Sequence, residues 1–494
     1  MRTTKIFNPK NLLLLVLVGT IGLTGCKKFL DINENPNNPD NASPTLLLPT
    51  VQAAVGQLVG NSFQVYGNIW GQYWTQSPNS SQYRTIDQYN VTNTSFDRPW
   101  LTLYRSALIN AELIINTKGT SLEHTRGMAY ILKAYSFQLA TDAFGDIPLT
   151  EALKGNEFGQ PKYESQALVY DSLFSYIDKG TVLLNTANSS SPGEQDMMFK
   201  GDINQWKAFA NTLKLRAYLR IAKVDPAKAE AGIAALYATN PIFLSSDAAM
   251  KYSTTGGNEN PLYNEMASPT LGKTQNLVAS STAVDAFTKN NDKRVSKFYD
   301  LVEGQNALNS IAQGTYGQSG VEKIVSIPSS LVGGNANSGA SATAPVKLIS
   351  VAESFFLQAE AVARGWAAGD VNALVAQGVT ASFVATGLSA ADASAYYAAA
   401  PDAKPALDLA LTTEAKVKVI ITQKYFAMCG FQGFEAWTEY RRTGYPDFLV
   451  TSAASVIGAN RLPERLLYPN SEATSNLSFP GNVAIYTPMW WANN

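Results

Sequence analysis

The chain has few of the side chains on which metal and redox sites depend. It carries one histidine, His124, and two cysteines, Cys26 and Cys429, in 494 residues. A single histidine excludes histidine-rich zinc sites and a multi-histidine metal centre. Two cysteines provide no disulfide framework, since one of them, Cys26, lies in a candidate lipid-attachment motif. We therefore expect no metal site and no cofactor.

An excess of one sign of charge is also absent. The chain has 38 Lys and Arg residues against 39 Asp and Glu residues, so its formal net charge is -1. A near-neutral protein has no electrostatic reason to bind nucleic acid. No Ser/His/Asp order, phosphate-cradling glycine loop or metal-ligand cluster stands out. The single histidine, His124, falls in the first turn of a predicted helix, where a surface or capping role is expected.

The N-terminus carries a short apolar run that is not long enough for a stable transmembrane helix. This run, residues 12–21, follows a basic head and precedes Leu23-Thr24-Gly25-Cys26. The small residues before the cysteine resemble a bacterial lipobox, so we expect residues 1–25 to be a lipoprotein signal peptide. Cys26 would then be the first residue of the mature protein and would carry the lipid, including palmitate. The alternatives are a plain secretory signal with an incidental cysteine and an N-terminal membrane anchor.

Lipid attachment has two consequences for the rest of the chain. Each buried methylene contributes about 0.8 kcal/mol, so several acyl chains hold a protein on a membrane surface without a transmembrane span. With Cys26 acylated, Cys429 has no intramolecular disulfide partner. Because Cys429 lies in a predicted helix beside apolar residues, we expect it to be a buried free thiol.

Helical periodicity occurs on both sides of a long irregular region. N-cap residues such as Ser350, in a capping-box pattern with Glu353, mark helix starts. Small residues at the contact positions of paired helices resemble tetratricopeptide hairpins, although no strict repeat period aligns. The predicted segments are a tether or extended strap over 26–43, helical hairpins over 44–238 and 347–446, a loop-rich insertion over 239–346 with a short helix at 281–289, and an irregular C-terminal chain over 447–494.

One segment, residues 63–89, mixes aromatic rings with amide side chains and is our main candidate ligand site. Sugar rings stack their C–H faces on aromatic rings, and their hydroxyls require fixed polar groups. The candidate ligand-binding residues in this segment are Trp74, Asn79, Gln82, Tyr83 and Arg84.

Two other interpretations bear on this site. Trp70, Tyr73 and Trp74 could form a helix face buried in the core, because aromatic residues mostly pack. A second and weaker candidate surface contains Asn258, Asn260 and Tyr263.

A charged segment near residue 440 allows a catalytic interpretation. Glu435 and Glu439 are four residues apart on one face of a predicted helix, which is compatible with the paired carboxylates of a glycosidase. The structural alternative is stronger, since Glu439 and Arg442 are spaced for an ion pair and the arginines, Arg441 included, can bind carbonyls of the C-terminal chain. We therefore predict no catalytic residues.

Several stretches occur in a fixed order across nearly the whole mature chain. They are Cys26 with 29–39, residues 202–216, residues 350–366, residues 422–425, residues 435–446 and residues 462–469. Together these stretches resemble the SusD/RagB family of nutrient-binding outer-membrane lipoproteins, in particular its SusD-like branch, and their spread makes the resemblance specific.

The resemblance implies a mainly α fold, a curved superhelix of tetratricopeptide-like helical hairpins with a loop-rich remainder packed on it. It also implies a partner, a SusC-type TonB-dependent transporter, over which the lipoprotein sits as a hinged lid on the cell surface. The protein would capture a nutrient without breaking a bond. Aromatic loops suit oligosaccharides, yet oligopeptides would use the same rings. The alternative functions are a surface-anchored glycan hydrolase and a pure assembly scaffold.

Overall fold

The structure is a computed structural model, and it describes residues 44–267 and 273–492. The predicted signal peptide, the lipidation site Cys26 and the predicted strap over 26–43 lie outside the described residues. Local sequence signals start many of the helices. The side chain of Asp202, for example, accepts hydrogen bonds from the backbone N–H groups of Asn204 and Gln205 at 2.9 and 3.2 Å, which satisfies donors that the first helical turn leaves unpaired.

The helices that precede residue 240 form the first helical region. They are α1 (Pro44–Gly60), α2 (Ser62–Trp70), α3 (Arg84–Asp87), α4 (Asp97–Leu101), α5 (Ile109–Ile115), α6 (Glu123–Phe144), α7 (Gln166–Leu184), α8 (Ile203–Arg220) and α9 (Pro226–Ala238). A π-helical segment, Thr102–Leu108, joins α4 to α5. The helical stretch over 97–115 is therefore continuous but contains a widened turn.

The second half of the chain begins with short elements and returns to helices. The helices are α10 (Pro261–Ala267), α11 (Ser281–Lys289), α12 (Val295–Phe298), α13 (Val351–Ala363), α14 (Val371–Ala385), α15 (Ala390–Ala399), α16 (Lys404–Asp408), α17 (Thr413–Met428), α18 (Gly433–Thr443) and α19 (Asn470–Ser475). The short helix predicted at 281–289 is α11 and is confirmed.

Consecutive helices pack in pairs, as α6 with α7, α8 with α9 and α13 with α14. Small residues permit the close approach of α6 and α7. A Cβ atom on Gly127 would lie 2.8 Å from the carbonyl oxygen of Gly180, and one on Gly180 would lie 2.9 Å from that of Gly127. The prediction of helical hairpins with small residues at their contacts is therefore confirmed, and with it the mainly α class.

The strands form two-stranded antiparallel pairs that connect distant parts of the chain. The pairs are β1 (Trp74–Gln76) with β5 (Leu277–Ala279), β2 (Ile147–Pro148) with β3 (Tyr163–Glu164), β4 (Ala248–Met250) with β8 (Val346–Ile349), and β6 (Tyr299–Asp300) with β7 (Ile327–Pro328). In the first pair Trp74 lies opposite Ala279. This pairing fixes the candidate ligand segment against the loop-rich region.

The C-terminal chain lies over the helices and is bonded to them. The backbone N–H of Leu466 donates to the carbonyl of Ala143 at 2.8 Å, and Arg441 donates to the carbonyls of Asp142 and Glu464 at 2.7 and 2.9 Å. The arginine therefore binds one carbonyl of the C-terminal chain, as the structural alternative predicted, and one carbonyl of α6. Among the residues that the structure describes, no helix is both long and apolar enough to cross a bilayer.

Cys429 is fully buried at the end of α17, which confirms the prediction of a buried thiol. Its Sγ lies 3.5 Å from the hydroxyl of Tyr299, and burial raises the pKa of the thiol well above its ordinary value. Since the thiolate is the reactive form, the native protein should resist alkylation.

We expect a maleimide probe to label Cys429 in the native protein at least roughly 100-fold more slowly than in the unfolded chain, because labelling requires local opening. The measurement uses protein without Cys26, followed by mass spectrometry at pH 8 with and without urea. Equal labelling rates in the two conditions would contradict the burial.

Candidate ligand-binding site

A buried carboxylate at the end of α3 holds the candidate ligand segment, residues 63–89, in place through hydrogen bonds. Asp87 is fully buried and accepts hydrogen bonds from Thr75 Oγ1, from the backbone N–H of Gln76 at 2.9 Å and from Gln313 Nε2 at 2.8 Å. Burial raises the pKa of this carboxyl above its ordinary value, although the hydrogen bonds act in the opposite direction. The segment is therefore anchored to residues far away in the chain.

The aromatic rings of the segment belong mainly to the core. Trp74 has no exposed surface in β1, so protein covers both faces of its indole. Tyr73, which is also fully buried, stacks on Tyr425 with 4.3 Å between ring centroids. Trp70 ends α2 and packs edge-on against Trp437 at 4.9 Å. All three rings are buried, as the core interpretation proposed, but only Trp70 lies on the helix.

The other candidate residues lie on a surface loop. Asn79, Gln82 and Arg84 are exposed, whereas Tyr83 is 5% exposed. Asn79 Nδ2 donates to the carbonyl of Lys323 at 2.8 Å, which connects the loop to a second loop.

The carboxylate of Glu265 connects several side chains of this surface through hydrogen bonds and an ion pair. It accepts hydrogen bonds from the hydroxyl of Tyr83 at 2.8 Å and from Asn61 Nδ2 at 2.6 Å, and Gln82 Nε2 lies at 3.5 Å. Arg98 Nη1 lies 3.9 Å from Oε2, with two thirds of its side chain exposed. We call Gln82, Tyr83, Arg98 and Glu265 the Glu265 cluster.

The structure thus brings Gln82 and Tyr83 together and places Asn79 and Arg84 beside them. The guanidinium of Arg84 lies 5.7 Å from the ring centroid of Tyr316. Trp74 lies beneath this surface rather than on it. Sequence reasoning missed Glu265 and Arg98, because no local pattern connects them to the aromatic segment.

The second candidate surface separates into a structural residue, Asn260, an exposed residue, Asn258, and the half-buried Tyr263. Asn260 is buried at the start of α10 and accepts hydrogen bonds from the backbone N–H groups of Leu262 and Tyr263 at 3.0 and 3.1 Å. Its amide also donates to the carbonyl of Ala344 at 2.9 Å. Asn258 is exposed. Asn260 therefore holds the loop-rich region together.

The carboxylates considered for catalysis are buried in an ion-pair network between α8 and α18. Arg220, which has no exposed surface, lies 2.5 Å from Glu435 and donates a second hydrogen bond to Glu439. Arg442 contacts Glu439 at 2.6 Å and Glu360 at 2.7 Å. The predicted ion pair of Glu439 and Arg442 is confirmed.

The protonation states in this network also differ from those of an acid–base pair. Burial alone would raise the pKa of Glu439, but Arg442, Lys424 and Arg220 outweigh it and hold the pKa well below its ordinary value. The pKa of Glu435 is lowered for the same reason, by Arg220 first. A general acid needs a raised pKa, so these carboxylates are suited to structure.

His124 takes part in a loop contact. Its Nε2 lies 3.0 Å from the carbonyl oxygen of Thr186, and its backbone N–H donates to Ser189 Oγ at 2.9 Å. The histidine, which is partly buried, connects the start of α6 to the loop after α7.

Comparison with known proteins places these features in a family. Solved structures similar to this chain include a chitin-binding protein, at 26% identity and a TM-score of 0.76 over 91% of this chain and 100% of that one. A SusD homologue from Bacteroides uniformis is 25% identical, with a TM-score of 0.75 over 91% and 99% of the two chains. A chitin-binding SusD homologue from Flavobacterium johnsoniae is 24% identical, with a TM-score of 0.75 over 90% and 99%.

The search of curated proteins finds no match. The sequence model of the SusD-like family, described as starch-binding and associating with the outer membrane, matches residues 36–469. Because this match covers most of the chain and the similar structures share the same helical fold, the protein belongs to the SusD-like branch of the SusD/RagB family.

Proposed function

We propose that the protein is a non-catalytic surface lipoprotein that captures an oligosaccharide at the surface formed by the Glu265 cluster with Asn79 and Arg84. The observation that carries the proposal is that exposed amide and guanidinium groups lie around the partly buried carboxylate of Glu265, beside an anchored loop. Sugar hydroxyls both donate and accept hydrogen bonds, and this set of groups offers both. The family description as starch-binding and the chitin-binding relatives support the same ligand class.

The individual residues take different parts in this proposal. Gln82, Arg84 and Asn79 contact the sugar, and Tyr83 holds the Glu265 carboxylate in position. Trp74 supports the loop from the core. Fixing the groups before the ligand arrives reduces the entropy lost on binding.

Delivery to a transporter is the second part of the proposal. A lipid on Cys26 would hold the protein at the outer membrane, facing the cell surface, and the helical body would cover a SusC-type TonB-dependent transporter as a lid. The family's association with the outer membrane supports this arrangement.

We expect Arg84→Ala and Gln82→Ala each to weaken oligosaccharide binding roughly 10-fold or more, because hydrogen bonds from charged or well-oriented polar groups contribute about 1–3 kcal/mol. The measurement is isothermal titration calorimetry of protein lacking residues 1–26 with chitin and starch oligosaccharides and with a panel of oligopeptides. The matched control is Arg461→Ala, an exposed arginine of the C-terminal chain.

Four outcomes would contradict the proposal. Binding of oligopeptides without binding of oligosaccharides would show that the proposed ligand class is wrong. Binding unchanged in both variants would move the site elsewhere, and absence of small-molecule binding would favour a scaffold. Recovering the oligosaccharide intact after incubation is expected, whereas shortened products would indicate the hydrolase.

A further inference from the structure

A cleft of about 410 Å³ opens beside α4. Its walls are α4, the π-helical segment, the stretch from Pro148 to Pro161 and α19. Its volume falls within the range of roughly 300–1,000 Å³ that is usual for small-molecule sites. The residues that the argument uses are Trp100, Leu101, Tyr104, Arg105 and Ser471. We call this space the Trp100 cleft.

The floor of the cleft is formed by the half-buried ring of Tyr104, packed on Trp100, which is 4% exposed. Trp100 Nε1 donates to Glu472 Oε1 at 3.2 Å, and the hydroxyl of Tyr104 donates to the carbonyl of Pro148 at 2.8 Å. The two rings lie 4.7 Å apart between centroids. Leu101, at the edge of the cleft, is 46% exposed. The cleft therefore offers a rigid apolar surface that protein does not fully cover.

Two polar groups at the cleft are available to a ligand. The hydroxyl of Ser471 is buried and has no hydrogen-bond partner within residues 44–267 and 273–492. Arg105 is exposed and makes no ion pair within the same ranges. Buried polar groups usually have partners, so an orphan hydroxyl at the wall of a cleft indicates a ligand or water position.

The backbone at the cleft is also unusual. Tyr104 and Arg105 both lie in the π-helical segment, Thr102–Leu108. Such segments are rare, and they frequently occur at functional sites. This geometry is independent of the cleft volume and of the unpaired hydroxyl.

The Trp100 cleft and the Glu265 cluster are connected through α4, to which the cluster contributes Arg98. Arg98, which contacts Glu265, and Leu101, which lines the cleft, are three residues apart on α4. Residues at this spacing are neighbours on a helix surface, about 5–6 Å apart between Cβ atoms. A ligand with several linked rings could therefore contact both places at once.

We propose that the Trp100 cleft is a second subsite, which binds further sugar rings of the oligosaccharide held at the Glu265 cluster. This inference rests on the proposed function and adds a preference for longer chains. The ring of Tyr104 and the side chain of Leu101 meet the apolar face of a sugar, with Trp100 supporting them from behind, and Ser471 and Arg105 bind its hydroxyls. The second contact is intramolecular once the first is made, so it increases affinity only for chains long enough to reach it.

The test compares a disaccharide and a hexasaccharide of N-acetylglucosamine by calorimetry, in the wild type and in Leu101→Ser and Arg105→Ala. Both substitutions are at exposed positions, so the fold is retained. We expect each variant to lose roughly 10-fold in hexasaccharide affinity and to bind the disaccharide as the wild type does. The matched control is Leu113→Ser, at an exposed leucine of α5.

The other outcomes overturn the inference in distinguishable ways. If Arg84→Ala weakens hexasaccharide binding while Leu101→Ser and Arg105→Ala do not, the subsite is wrong and the proposed function stands. Equal losses for both chain lengths would place the cleft in the first site rather than in a second. Absence of saccharide binding by the wild type would overturn the subsite and the proposed function together.

Discussion

Arg220→Ala is expected to destabilise the protein by about 3–5 kcal/mol, because the substitution removes a charge that compensates three buried carboxylates. Arg220 contacts Asp142 at 3.3 Å, Glu435 at 2.5 Å and Glu439, and it has no exposed surface. Removing one member of a buried ion-pair network strongly lowers the free energy of unfolding, because the remaining buried charges are no longer fully compensated. The intact network, by contrast, adds little stability relative to well-packed apolar residues at the same positions. The measurement is the free energy of unfolding from urea denaturation followed by circular dichroism.

The control for this prediction is an ion pair at the surface. Lys404 and Asp408 are paired at 2.6 Å on α16, and each side chain is more than 40% exposed. Lys404→Ala should change the free energy of unfolding by at most about 0.5 kcal/mol, because solvent screens the pair. A loss at Arg220 as small as the loss at Lys404 would show that the network does not hold α18 against α8.

Gly67→Ala is expected to reduce the free energy of unfolding by about 3 kcal/mol, although alanine is the better helix former by about 1 kcal/mol. Gly67 lies in α2, where a Cβ atom would come 2.0 Å from the backbone nitrogen of Phe434. Backbone atoms cannot move aside as a flexible side chain can. The helices would have to separate, and the stacked rings of Phe63 and Phe434, 4.3 Å apart, would separate with them.

The matched control is Gly339→Ala, because a Cβ atom on Gly339 meets no atom within 4 Å. Urea denaturation should place this variant within about 1 kcal/mol of the wild type. If Gly67→Ala were as stable as the wild type, α2 and α18 could not pack as closely as the structure shows.

Local signals were sufficient to predict the helical part of the fold. The carboxylate of Asp202 and the hydroxyl of Ser350 cap helices, and capping involves residues only two or three positions away. At Ser350 the reciprocal part of the capping box is replaced, since the carboxylate of Glu353 accepts from Gln432 at 2.6 Å instead. Hairpin packing was also readable, because small residues at helical spacing permit close contact.

The candidate site was predictable only in part. The loop that carries Asn79, Gln82 and Arg84 could be recognised by its composition, and the structure exposes these three side chains. Glu265, at which Gln82 and Tyr83 meet, is about 180 residues away in the chain. No sequence periodicity or local motif predicts a contact between residues so far apart in the chain.

The sequence by itself determined the helical hairpins, the family resemblance and the expectation of a lipid on Cys26, because each depends on residues that are close together in the chain or on ordered motifs. Only the tertiary structure decided which aromatic rings are covered. Trp74 is buried because Leu277–Ala279 pairs with its strand, and Glu435 and Glu439 are enclosed because Arg220 comes from another helix. Burial and charge pairing depend on which distant segments meet, and this is set by the packing of the whole chain.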